Sequence, residues 1–265
     1  MENKFGKTSK LMIKAGVKNH QTVLQDVFFT APFKIMHPFY EPKNALNEKD
    51  FMTVMCLTAS AGIMAGDEQE YTISVNEGAK LEFVSQAYEK IHKMTEGSAK
   101  RTANLHVSKN ACLFYNPLPT IPFKDSAFSS IVNVHLEDTS SKFVFKEILS
   151  AGRYARGEKF EYRYYHNLIN VYEGSTLIYA DNTRLDPSAT DLTSLGMYEN
   201  FTHLGTLLLF HVCKEAAWFQ KVRELLDTTP DLEGGITLGA NETIIIRILG
   251  KTSEQIERIM DKILI

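Results

Sequence analysis

The sequence lacks the features that mark a secreted, membrane-spanning or nucleic-acid-binding protein. Its three cysteines, Cys56, Cys112 and Cys213, are an odd number with wide gaps, which predicts reduced thiols. Residues 1–20 contain no apolar run of the kind that a secretory signal needs. The most apolar segment, Leu204–Cys213, is too short to cross a bilayer. Its 29 basic and 32 acidic residues are interspersed, so no cationic face for phosphate is indicated. We expect a cytoplasmic protein without membrane or nucleic-acid partners.

Patterns of catalytic and metal-binding residues are also missing. Ser60 lacks the first glycine of a nucleophile elbow, and residues 250–252 lack that of a phosphate-binding loop, because Ile245 stands there. His211 and Cys213 come closest to a metal pair. On a strand they would face the same side about 7 Å apart, although packing in the core is the simpler interpretation. The residues therefore predict no enzyme and no tightly bound cofactor.

What the sequence does contain is strand periodicity. Between Val23 and about Tyr179 the apolar residues recur with period two, as in Tyr71–Val75, which predicts a mainly β fold with layered or solenoid-like strands. The turn signal Asn76–Gly78 favours a hairpin or a meander step. The polar segments Glu41–Asp50 and Ala180–Asn200 are interpreted as loops.

The last sixty residues have a different pattern. Ala216–Leu226 has the apolar stripe of a helix, and a second helix is predicted after a cap at Thr252 or Ser253. These two helices and the strands between them indicate a small α+β part. We divide the chain into a β-rich body, residues 1–200, and a C-terminal α+β part, residues 201–265, that packs on it. A single domain is the alternative.

Four short segments rich in glycine, proline and polar residues interrupt the strands. They are Ala59–Asp67, Ser85–His92, Asn116–Phe123 and Ser150–Glu158. Each alone is typical of a tight turn, because glycine permits close backbone approach and proline is excluded from the middle of a sheet. The positions expected to shape these turns are Gly62, Gly66, Pro119, Gly152, Arg153, Arg156 and Gly157.

Taken in this order, the four segments resemble the UreD family of urease accessory proteins, called UreH in some ureolytic bacteria. The likeness also includes Pro32–Tyr40, Glu147 and Asn170–Leu185. Two departures occur: Ser60–Gly62 stands where the family usually has a double glycine, and Ser85 where it commonly has a threonine. Both keep the side chains small.

The resemblance implies a cytosolic complex with a helical UreF-type partner and a UreG-type GTPase. Such a complex docks on the urease apoprotein and helps to install nickel at a carbamylated lysine, so nickel would meet this chain only transiently. We hypothesise that Asp67 and Glu147, and also Glu158, lie along a hydrated internal path for the ion. Ion pairing of these carboxylates with Arg153 or Arg156 is the alternative, and a passive clamp is the alternative to a conduit.

Two other classes of protein remain open from the sequence alone. One is a hydrolase or transferase with Ser60 or Cys56 as nucleophile. The other is a carbohydrate-binding β-sandwich, since aromatic residues make up 11% of the chain and many tyrosines fall between Tyr154 and Tyr179. Alternating tyrosines on strands are, however, usually core or cross-strand pairs.

Overall fold

Strands dominate the structure, a computed structural model that describes residues 8–40 and 51–265. The first nine strands are β1 (Thr8–Lys18), β2 (Gln21–Phe29), β3 (Phe33–Ile35), β4 (Phe39–Tyr40), β5 (Met52–Thr58), β6 (Glu68–Val75), β7 (Lys80–Ser85), β8 (Glu89–Ile91) and β9 (Ala99–Val107). The other nine are β10 (Cys112–Asn116), β11 (Thr120–Pro122), β12 (Ala127–Leu136), β13 (Lys142–Ser150), β14 (Tyr164–Glu173), β15 (Thr176–Leu185), β16 (His203–Phe210), β17 (Leu232–Leu238) and β18 (Ile244–Gly250). Two α-helices, α1 (Ala216–Thr228) and α2 (Ser253–Leu264), and two short 3-10 turns, Tyr154–Arg156 and Ala240–Glu242, complete the described elements. The predicted loop Glu41–Asp50 lies outside the described residues.

The strands form two sheets that face each other across the core. Sheet A has the order β15-β14-β12-β9-β6-β1-β2, and the main path of sheet B is β17-β18-β16-β13-β10-β7-β5-β3. The central strands of both sheets are parallel, and the chain alternates between the sheets as it passes from β5 to β7 and on to β14. The alternation makes the chain a coil in which each turn contributes one strand to each sheet. The inward face of each of these strands is buried in the core between the sheets. The prediction of a mainly β, solenoid-like fold with two helices near the C-terminus is confirmed.

The hairpin predicted at Asn76–Gly78 is wrong. This turn does not fold β7 back onto β6. It carries the chain from sheet A to sheet B, where β7 pairs in parallel with β5 and β10. The reason is that a half-buried strand shows the same period-two pattern whichever sheet its successor joins.

The loop predicted at Ala180–Asn200 is wrong in its first six residues, which belong to β15. This strand forms one edge of sheet A, and among the described strands it pairs with β14 alone. An edge strand tolerates polar side chains on its solvent face, as at Asn182 and Arg184, so polar composition does not exclude a ladder there. The remainder, residues 186–200, consists of turns.

The C-terminal elements extend sheet B. β16 is antiparallel to β13, and β18 is antiparallel to both β16 and β17. Sheet hydrogen bonds therefore run from the strands of the coil into residues 201–265. The division at residue 200 stays a prediction.

Helix α2 packs on sheet B through an apolar face. An ion pair with β13 and an N-terminal cap also hold the helix in place. Ile256, Met260 and Ile263 are buried in a cluster with the strands of sheet B. Lys146 on β13, almost fully buried, donates to the carboxylate of Asp261 at 3.0 Å. The Thr252 hydroxyl caps the helix by accepting from the backbone N–H of Gln255 at 3.2 Å, so Thr252 is the cap of the two residues that the sequence offered.

We expect Thr252→Ala to cost about 1 kcal/mol of unfolding free energy, because the first turn of α2 then loses a side-chain acceptor. Chemical denaturation of the full chain measures this loss. Thr252→Ser keeps the hydroxyl and is the matched control, so an equal loss in both variants would show that the cap does not carry the effect.

Candidate functional site: a polar layer through the core

The four glycine- and proline-containing segments meet at one end of the sheets. The carbonyl of Lys90 accepts from Ile63 N–H at 2.8 Å, and the carbonyl of Pro119 accepts from Glu89 N–H at 2.9 Å. The fourth segment meets the third at Gly152, where a Cβ would be 3.4 Å from the carbonyl oxygen of Pro122. The segments that were singled out separately in the sequence thus form one layer of stacked turns, the motif layer.

Two of the predicted path residues, Asp67 and Glu158, hold this motif layer in shape. The carboxylate of Asp67 accepts from the backbone N–H of Met64 at 2.8 Å, which closes the turn that contains Gly66. Glu158 pairs with Arg153 and accepts from the backbone N–H of Lys124. Because the Arg153 guanidinium lies beside it, the pKa of the Glu158 carboxyl is lowered.

The remaining motif positions have similar local roles. The guanidinium carbon of Arg153 lies 4.1 Å from the ring centroid of Phe123, which ties two of the segments together. Gly157 has a positive φ of 83° and ends the short 3-10 turn Tyr154–Arg156. Arg156 is exposed in that turn.

The third predicted path residue, Glu147, lies in a different environment, in a polar layer that crosses the apolar core. On sheet A, four buried polar residues on neighbouring strands stand in register and face sheet B. They are Gln69 on β6, Arg101 on β9, Ser130 on β12 and Asn167 on β14. With neighbouring strands about 4.8 Å apart, the row spans roughly 14 Å.

Sheet B supplies a second polar row opposite the first. Glu147 on β13 is in register with Thr206 on β16, and Thr206 with Arg247 on β18. The two rows are joined by hydrogen bonds, since the side-chain amide of Asn167 donates to Glu147 Oε2 at 2.9 Å and the Tyr165 hydroxyl donates to Oε1 at 2.9 Å.

Four cavities follow this polar layer from one surface of the protein to another. The first has a volume of about 70 Å³ and reaches the surface at the exposed residues Ser60 and Gln86. The second and third, of about 20 and 10 Å³, are each large enough for about one water molecule. The fourth, of about 710 Å³, opens beside Asp227 and Glu233.

Neighbouring cavities share lining residues, so they form a series. The first and second share Glu89 and Arg101, and the second and third share Glu147 and Tyr165. The third and fourth share Thr183, Leu204 and Arg247. Asp67 and Glu158 are not among the residues that line these four cavities.

A buried ion pair lies between the first two cavities. Arg101 pairs with Glu89 and also donates twice to Gln69 Oε1, at 2.9 and 2.6 Å. Its guanidinium carbon is 4.9 Å from the ring centroid of Tyr71 and 5.7 Å from that of Phe128. The charge is therefore compensated although the side chain is only 9% exposed.

Glu147 is the acid at the centre of the series, where the second and third cavities meet. Removal from water raises the pKa of its carboxyl, and the hydrogen bonds from Tyr165 and Asn167 oppose this rise. Among the described residues Glu147 forms no ion pair, so it is the carboxylate of the layer whose charge lacks a fixed counter-ion.

A second ion pair separates the third cavity from the fourth. Arg247 pairs with Asp181 on β15, and the Thr183 hydroxyl donates to the other carboxylate oxygen of Asp181 at 2.9 Å. The Asp181 side chain is 15% exposed and that of Arg247 is 39% exposed. The layer thus contains three carboxyls and two guanidiniums, an arrangement that favours a cation.

The residues considered as nucleophiles lie in settings that disfavour this chemistry. Cys56 lines the first cavity, but burial raises the pKa of its thiol to about 12, so the reactive thiolate is scarce. Ser60 is exposed, and its hydroxyl donates to the carbonyl of Gly62 at 3.3 Å.

The tyrosines that suggested a carbohydrate-binding surface lie largely inside the protein. Tyr162 and Tyr165 are buried and Tyr164 is partly buried, as expected for core residues.

His211 and Cys213 do not share one side of a strand. β16 ends at Phe210, and His211 has a positive φ of 55°, which turns the chain away from the ladder. The His211 ring contacts the carbonyl oxygen of Ser141 at 2.8 Å and the carboxylate of Glu173 at 3.0 Å, whereas Cys213 is exposed. In residues 8–40 and 51–265 no cluster of three or more histidine, cysteine or acidic side chains is placed to hold a metal ion.

Comparison with known proteins identifies the family. The family model described as "UreD urease accessory protein" matches residues 7–265. The chain is a member of the UreD family. It is 39% identical over 262 residues to the urease accessory protein UreD of Acetivibrio thermocellus, with 98% of this chain and 97% of the relative covered. It is 35% identical to the urease accessory protein UreH of Helicobacter pylori strain P12, with 98% and 95% covered.

Membership of the UreD family implies a role in urease maturation, and these relatives are named as accessory proteins rather than as enzymes. The part of the chain that the structure describes has no helix long and apolar enough to span a membrane. The resemblance seen in the sequence is confirmed.

The sequence contained a signal for the polar layer that its interpretation missed. In each of four strands a polar residue occupies the phase of the buried apolar residues, two positions from one of them. Gln69 is paired in this way with Tyr71, Arg101 with Ala99, Ser130 with Val132, and Asn167 with Ile169. A polar side chain in the inward phase of one strand is a local irregularity. The same irregularity in four strands that pair in register predicts a polar layer.

Proposed function

We propose that this chain is a urease maturation factor that works in the cytoplasm with a UreF-type accessory protein and a UreG-type GTPase. In this proposal the complex docks on the urease apoprotein and assists the insertion of nickel at the carbamylated-lysine active site. The chain has no catalytic role of its own. It serves as a chaperone and a conduit, and nickel is its cargo rather than a resident cofactor.

The observation that carries the proposal is the series of four cavities along the polar layer. A protein interior normally excludes such a row, because each buried polar group must be compensated. Here the row extends between two openings at the surface, with Glu147 between two water-sized cavities. A hydrated cation can exchange its waters for these oxygens in steps.

Weak binding suits this role. Glu147, Asp181 and the hydroxyls of the layer are oxygen ligands, whereas imidazole and thiolate ligands hold nickel more firmly. A closed set of histidines and cysteines would retain the metal and stop its delivery. In the proposal Glu147 contacts the passing ion, and Asp67 and Glu158, which belong to the same hypothesis, shape the motif layer beside the first cavity.

We expect Glu147→Gln to lower the nickel content of co-expressed urease about tenfold, because about 1.4 kcal/mol of ion stabilisation is lost at the narrowest part of the path. The side chain keeps its size and can still accept hydrogen bonds. Metal analysis of purified urease measures the effect, and co-purification with the UreF-type partner must be unchanged.

Asp67→Asn and Glu158→Gln are the matched comparisons, since both carboxylates lie in the motif layer and not along the four cavities. A fall in urease nickel equal to that of Glu147→Gln would place them in the path as well. Full nickel content with Glu147→Gln would exclude the conduit and favour the passive clamp.

A further inference from the structure

We propose that the guanidinium of Arg247 occupies a divalent-cation site in the third cavity, and that nickel passes only when it displaces this side chain. The inference rests on the proposed function, because it assigns a gate to the same path. Arg247 is then a residue that controls passage and not a ligand.

The third cavity is surrounded by oxygen atoms that suit a cation. Those that belong to its lining residues come from Glu147, Tyr165, Asn167, Asp181, Thr183 and Thr206. Carboxylate, amide carbonyl and hydroxyl oxygens are ligands for hard divalent cations and hold nickel only weakly. The single basic group in the lining is Arg247.

One of these oxygens is unused. Asn167 is only 4% exposed, and its amide nitrogen donates to Glu147, but its Oδ1 has no hydrogen-bond partner. A buried acceptor without a partner destabilises the fold. A cation in the third cavity would give this oxygen a partner.

Arg247 compensates the charge of one of the two carboxylates of the site in the absence of a metal. It pairs with Asp181, and it lies in the same cross-strand row as Glu147, with Thr206 between them. Without the guanidinium the cavity would contain two carboxylates with no fixed counter-ion. The block is removed when the guanidinium is displaced from the cavity.

The geometry lets Arg247 move while its partner stays. The Thr183 hydroxyl donates to Asp181, so the carboxylate remains oriented when the guanidinium leaves. Arg247 also lines the fourth cavity, whose volume of about 710 Å³ can receive the displaced side chain. The third cavity, of about 10 Å³, has room for about one water molecule and therefore none for a hydrated metal ion beside the guanidinium.

The test is a gain of nickel binding. We expect Arg247→Met in the full-length chain to bind about one Ni²⁺ with an affinity about tenfold or more above that of the unmodified protein, because the competing cation is gone. Equilibrium dialysis against Ni²⁺ measures the binding, and a nickel-dependent rise in melting temperature reports it independently. Arg247→Lys keeps a tethered cation and should bind no better than the unmodified protein.

Two double variants locate the site. Adding Glu147→Gln or Asp181→Asn to Arg247→Met should abolish the gain. If folded Arg247→Met binds no additional nickel, or binds it equally well with Glu147→Gln present, the gate is wrong. Arg247→Gln, which can still donate a hydrogen bond to Asp181, provides the same comparison should the methionine variant unfold.

The dialysis experiment contains no urease, so its result tests the gate independently of the proposed function. If Glu147→Gln lowers urease nickel as expected but Arg247→Met binds no additional nickel, the conduit is supported and the gate is contradicted. If Arg247→Met binds additional nickel but Glu147→Gln leaves the nickel content of urease unchanged, the cation site is supported and the conduit is contradicted.

Discussion

Arg101→Met is expected to cost about 3–5 kcal/mol of unfolding free energy, because it leaves the Glu89 carboxylate buried beside the first cavity without its counter-ion. The guanidinium also donates to Gln69 and lies against the ring of Tyr71, so three contacts disappear together. Chemical denaturation of the full-length chain measures the loss. Methionine replaces the unbranched stem of the arginine side chain, which limits the contribution of an empty cavity.

The double variant Arg101→Met with Glu89→Gln separates the charge from the packing. It removes the uncompensated charge, so we expect it to be more stable than Arg101→Met alone. A loss below about 1 kcal/mol in the single variant would correspond to an exposed ion pair and would contradict the burial of this one.

Gly62→Ala is expected to destabilise the chain by about 3 kcal/mol or more. Gly62 has a φ of +143°, which side chains with a Cβ rarely adopt, and a Cβ would overlap the backbone carbonyl of Lys90. This carbonyl cannot move freely, because it accepts from Ile63 N–H and belongs to β8, a strand of the motif layer. The midpoint of chemical denaturation reports the effect.

Gly157→Ala is the matched control for the backbone contribution. Gly157 also has a positive φ, +83°, but a Cβ there would meet no atom within 4 Å. We expect a cost of about 1–2 kcal/mol from the left-handed conformation alone. An equal loss of unfolding free energy in the two variants would show that the contact with Lys90 does not contribute to the destabilisation.

The strands and the general architecture could be predicted from the sequence because period-two burial is a local property. Tyr71, Ile73 and Val75 are all buried as the pattern requires, and the helix cap at Thr252 follows from local chemistry in the same way. The partner of each strand is not local. The same alternation that places Ile73 inward is compatible with a hairpin or with a crossover between sheets, and the hairpin was the wrong choice.

The candidate site illustrates the same limit. Glu147 was singled out through the family resemblance, and the structure places it on the series of cavities. Arg101, Asp181 and Arg247 were missed because each lies in a segment that suggests something else on its own: a charged strand, a polar loop and an apolar run. Their pairing depends on register between strands far apart in the chain.

The parallel pairing of β1 with β6 and of β12 with β14 has a consequence for the newly synthesised chain. Parallel pairs require long connections, so their contacts form late and the chain folds slowly. The unfinished chain presents β2 as an open strand edge with apolar side chains, and β2 is still an edge strand in the finished fold, where Phe28 is 49% exposed. Aggregation of this species grows with its concentration and lifetime. Slow expression at low temperature should therefore raise the yield of folded protein.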